Sequence, residues 1–101
     1  MNYEIFDKIN AHGIKVEELK LNITDMVPVL YLRVLVDNCI YHLEFTNVSG
    51  VNIRDFSLPF QVQGFEIMNN KSRSWDKALT YRIHDYEDQK IDFYCENVTI
   101  K

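Results

Sequence analysis

Glycine is scarce in this chain, with three residues among 101. That leaves little from which to build a glycine-rich loop that cradles phosphate, and the G-x-S-x-G and H-E-x-x-H patterns of acyl-transfer and zinc sites are missing too. The sequence therefore reads as non-catalytic. Alanine, the best helix former, occurs only at Ala11 and Ala78, which argues against a helical protein. Lys and Arg number 11 against 15 Asp and Glu, a net charge of -4, so there is no basic surplus to meet a nucleic-acid backbone. No apolar run approaches the roughly 18 residues that a membrane-spanning helix requires. Met1 to Ile23 lacks the charged-then-apolar order of a secretory signal, and a cytoplasmic setting is expected. In that reducing compartment the two cysteines, Cys39 and Cys95, are expected as free, buried thiols. The triplets beginning at Asn22, Asn47, Asn70 and Asn97 match the N-glycosylation acceptor pattern, but without export they read as polar strand ends and turns.

What the chain does have is β-forming residues: Val, Ile, Thr and 13 aromatics, arranged with a period of two. Leu19, Leu21 and Ile23 alternate with Lys20, Asn22 and Thr24. Leu30, Leu32, Val34 and Val36 alternate with Val29, Tyr31, Arg33 and Leu35, a strand apolar on both sides apart from Arg33 and so expected in the middle of a sheet. Asp37-Asn38 is a turn pair, after which Tyr41, Leu43 and Phe45 resume the apolar phase, giving a tight hairpin. Residues 47–59 read as an irregular packed connection. A strand from Phe60 to Met68 changes phase at Gly64, where a bulge with positive φ would restore the apolar face. Tyr81 and Ile83 alternate with Arg82 and His84, and Ile91, Phe93 and Cys95 return the chain. A second phase shift at Glu96-Asn97 predicts a bulged or bent last strand.

Only Asn2 to His12 breaks the pattern. Ile5, Phe6 and Ile9 fall at helical spacing there, with Asn2 as N-cap and Gly13 past the C-terminus. The expected fold is one mainly β domain over residues 1–101, an antiparallel β-sandwich or a strongly curved sheet with a short N-terminal helix. Its predicted core is Leu32, Val34, Leu43, Phe45, Ile83 and Phe93.

Three features bear on function. His84-Asp85-Tyr86-Glu87-Asp88 concentrates an imidazole and three carboxylates, but it lacks the glycine and regular ligand spacing of an ion-binding loop. No metal or other cofactor is expected, and the acids read as a solvated hairpin tip. Trp75 lies in the basic loop Lys71 to Lys77, a residue type that anchors interfaces but equally one that closes a core. Arg82 and Tyr94 project to the same side if the last two long strands pair, and with His84 and Tyr86 they form a polar aromatic face. Cys39 and His42, three apart in a strand, fall on opposite faces and cannot form a nucleophile and base pair.

The segments Gln63-Gly64-Phe65-Glu66-Ile67, Ser74-Trp75, Tyr81 to Glu87 and Ile91 to Cys95 resemble those of small β-rich bacterial proteins, some of which are similar to the immunity proteins of polymorphic toxin systems. The resemblance covers the C-terminal 40 residues or so, is structural, and carries no catalytic residues. It implies a binding role. The first expectation is thus a non-catalytic protein-binding module whose contact residues are Trp75, Arg82, His84, Asp85, Tyr86, Glu87, Asp88 and Tyr94, with a basic protein as partner. A small-ligand or carbohydrate-binding domain using exposed aromatics and a small enzyme centred on His84 stand as the alternatives.

Overall fold

The structure, a computed structural model, describes residues 14–24, 26–54, 60–69, 76, 79–87 and 89–100. The expected N-terminal helix, the Trp75 loop, Asp88 and the 55–59 connection lie outside the described residues. Within them the chain forms β1 (Ile14–Thr24), β2 (Val27–Val36), β3 (Cys39–Thr46), β4 (Ser49–Ile53), β5 (Phe60–Val62), β6 (Phe65–Asn69), β7 (Tyr81–Asp85), β8 (Ile91–Cys95) and β9 (Asn97–Ile100). They make two antiparallel sheets, one of five strands in the order β5-β1-β2-β3-β9 and one of four in the order β4-β8-β7-β6. Among the described residues no helix is long and apolar enough to cross a membrane.

β2 sits between β1 and β3, where its two-sided apolar sequence belongs. The hairpin that leads to β3 turns on Asp37 and Asn38, both with positive φ (50° and 65°), the requirement of a two-residue type I′ turn and the reason short polar residues stand there. Leu30, Leu32, Val34, Leu43 and Phe45 of the five-stranded sheet and Phe65, Ile83, Ile91 and Phe93 of the four-stranded sheet are buried in one cluster. All six predicted core residues are among the buried ones.

Several expectations need correction. Phe60 to Met68 is not one bulged strand: β5 belongs to the five-stranded sheet and β6 to the four-stranded one, with Gln63-Gly64 as the crossing. Gly64 lies outside the left-handed region, and its role is steric, since a Cβ there would stand 2.9 Å from the Glu87 amide nitrogen and 2.9 Å from Asp85 Oδ1. The shift at Glu96 is likewise a crossing, from β8 in one sheet to β9 in the other. Ser49 to Ile53, read as irregular, is an edge strand. Its pairing with β8 slips between Ser49 and Asn52, where Gly50 takes φ +60°, and that slip hides the period of two. Both thiols are free, but Cys39, the first residue of β3 after the turn, is exposed; only Cys95 is buried.

Candidate functional site

The predicted polar aromatic face exists as the outer surface of the four-stranded sheet. In an antiparallel ladder, residues directly opposite one another share a side, so the register sets the face. One row runs Met68, Arg82, Tyr94, Ser49 and the next runs Glu66, His84, Asp92, Asn52. Beneath them Ile67, Ile83 and Phe93 form the corresponding inward row, with Ile83 and Phe93 fully buried. Alternation thus fixes the outward side chains by burying their neighbours.

Arg82 reaches diagonally to Asp92 and donates through Nε and one Nη to its two carboxylate oxygens, each at 3.3 Å. The hydrogen bond and the charge of Asp92 hold the guanidinium above its already high ordinary pKa, so it stays protonated. His84 Nε2 lies 4.0 Å from Glu66 Oε2, too far for a hydrogen bond, and is a buried polar atom without a partner. The Tyr86 ring approaches the His84 ring at a centroid distance of 6.5 Å and 62° between planes, while Tyr86 itself is exposed. Asn52, Arg54, Arg82, His84, Tyr86 and Asp92 line a half-open depression of about 380 Å³ at this end of the sheet.

Asp85 borders that depression but belongs to the inward row rather than to the outer face. It is 2 % exposed, and its carboxylate accepts hydrogen bonds from the backbone N–H groups of Glu87 (3.1 Å) and Lys90 (3.2 Å), tying the β7–β8 turn together. The position follows from phase: Tyr81, Ile83 and Asp85 occupy alternate positions of β7, and Asp85 continues the inward row opposite Phe65. The expected cluster of solvated acids is therefore smaller than its sequence suggests, with Glu87 exposed and Asp85 committed to the turn. Asp88 and Trp75 cannot be placed against the face, because both lie outside the described residues. Among the described residues no group of three or more His, Cys, Asp or Glu is arranged to hold a metal ion.

Sequence reasoning passed over a second polar face, on the outside of the five-stranded sheet. Here Glu18, Arg33 and His42 stand in one row, and Lys20, Tyr31, Glu44 and Thr99 in the next. The β1–β2 register slips between Val16 and Glu18, and both consecutive acids come near one guanidinium: Arg33 is 3.1 Å from Glu18 and 4.0 Å from Glu17. The alternation of Tyr31 and Arg33 with buried Leu32 and Val34 was the available signal for this face, masked by the apolar character of Val29 and Leu35. No family model, curated protein or solved structure matches the chain.

Proposed function

We propose that this chain is a non-catalytic protein-binding module that presents the outer face of its four-stranded sheet, and that an immunity-type role is the natural setting for it. The observation that supports the reading is the register: Arg82, His84, Asp92 and Tyr94 stand side by side on paired strands whose opposite face is packed into the core. Such side chains reach a partner already ordered, so little rotamer freedom is lost on binding. Within the face Arg82 and Asp92 neutralise one another, which assigns specificity to Tyr86, Tyr94 and His84. The overall charge of -4 and exposed Glu87 would favour a basic partner through its approach rather than through its hold.

Affinity purification from the native cells supplies the partner, and surface plasmon resonance then reads the face. Tyr86→Ala, a change at an exposed position, is expected to speed dissociation by about tenfold, and rising salt to slow association. Binding that is indifferent to Tyr86→Ala, Tyr94→Ala and salt alike would move the partner off this face.

A further inference from the structure

The outer face of the five-stranded sheet carries a depression of about 490 Å³, larger than the one beside His84. Tyr31 lines it from β2, the middle strand of the sheet, and at 36 % exposure is an accessible aromatic ring. The register places Lys20 directly to one side of it and Glu44 directly to the other, with Arg33 and His42 in the adjacent row and Asn22 at the next outward position of β1. The charged residues around it balance: Lys20 and Arg33 against Glu18 and Glu44. An anion or a cation thus gains nothing from the net charge of the site, and a hydrocarbon would cover charged groups without satisfying them. The ligand that suits a neutral surround rich in both donors and acceptors, with an accessible aromatic ring, is a polyhydroxylated ring. Its C–H face lies on the aromatic plane while its hydroxyls take bonds from the rim.

We propose that this face binds a neutral saccharide, with Tyr31 as the stacking platform and Lys20, Asn22 and Glu44 as hydroxyl partners. The site lies on the other sheet from the protein-binding face and does not depend on it. Free oligosaccharides and the glycan of a glycoprotein share this chemistry, and both belong in the test.

The experiment is a ¹H–¹⁵N titration of the full chain with neutral tetrasaccharides of glucose, N-acetylglucosamine, mannose and xylose, with a neutral N-glycan, and with anionic tetragalacturonate. The expected result is saturable shifts at the amides of Lys20, Tyr31 and Glu44 with one neutral sugar below about 20 mM. Tyr31→Ala should weaken that binding at least about tenfold and Tyr31→Trp should retain it. Lys20→Met, at an exposed position, serves as a second variant that leaves the core untouched and should weaken binding as well. Response to the N-glycan alone assigns a glycoprotein source, and response to the free sugars assigns a polysaccharide. The proposal is overturned if no sugar shifts these amides, if tetragalacturonate binds best, if Tyr31→Ala binds as wild type does, or if the shifts gather around Arg82 and Tyr94.

Discussion

Phe45, from the five-stranded sheet, meets Phe93, from the four-stranded sheet, edge to face, with ring centroids 5.0 Å apart and planes at 81°. Both rings are fully buried, and each presents its positive edge or negative face to the other, the favoured geometry for an aromatic pair. The contact joins the two layers at the centre of their common core. Phe93→Ala removes it and leaves a cavity, so a loss of about 3 to 5 kcal/mol is expected in urea unfolding, a large share of the stability of a domain this size. A wild-type midpoint for Phe93→Ala would mean that the inward face is wrongly assigned.

The Asp85 carboxylate should matter to stability more than to binding. Asp85→Ala removes the acceptor of the part-buried amides of Glu87 and Lys90, and the expected cost is about 1 to 3 kcal/mol. Asp85→Asn retains one acceptor oxygen and should cost less. Thermal unfolding of the two variants gives the order; equal, negligible losses would show that the turn does not need the carboxylate.

Two glycines should fail for different reasons. At Gly50, φ is +60° and an added Cβ would meet only Tyr94 Cδ2 at an ordinary 3.8 Å, so Gly50→Ala should cost about 1 kcal/mol and Gly50→Asn less, because Asn tolerates the left-handed region. At Gly64 the obstacle is the backbone of Glu87, and Ala and Asn alike should cost about 1 to 3 kcal/mol. Chemical denaturation of the four variants distinguishes strain from crowding by whether Asn rescues.

The thiols should separate by reactivity. An aromatic disulfide reagent is expected to label Cys39 in the folded protein and Cys95 only after unfolding, since Cys39 is exposed and burial pushes the Cys95 thiol up to about 12. Because the folded state holds the neutral thiol, its contribution is complete below the unfolded value of about 8.5 and is lost as pH rises toward the folded one. The urea midpoint of the wild type should therefore fall more steeply between pH 9 and the folded value of about 12 than that of Cys95→Ala. Parallel curves for the two proteins would remove the thiol from the alkaline transition.

The strands and most of the core were legible because a half-buried strand repeats every two residues, and Leu32, Leu43, Ile83 and Phe93 kept that beat. What the sequence concealed was the meaning of its missed beats. Buried Val62 and Phe65 are three apart, as are Cys95 and Val98, and each pair straddles a passage from one sheet to the other. Inward faces of two facing sheets point in opposite directions, so a chain that changes layer must invert its phase; a bulge within one sheet leaves the same trace. Phe45 and Val48, also three apart, mark the passage from β3 toward β4 in the same way. The polar face around Arg82 and Tyr94 was legible for the same reason as the core, being its complement. Asp85 was missed because a carboxylate next to a turn ordinarily belongs to solvent, and only the phase of β7 gives its inward position away.

β9 closes the five-stranded sheet by pairing with β3, Leu43 against Ile100 and Thr46 against Asn97. During synthesis, then, the first three strands emerge from the ribosome long before the segment that completes their sheet, and β3 must wait with an unpaired edge until Ile100 has cleared the exit tunnel. Completion of the sheet therefore waits on the last of its strands to be made, and the interval before it is when β3 is most open to capture by a chaperone or by another nascent chain.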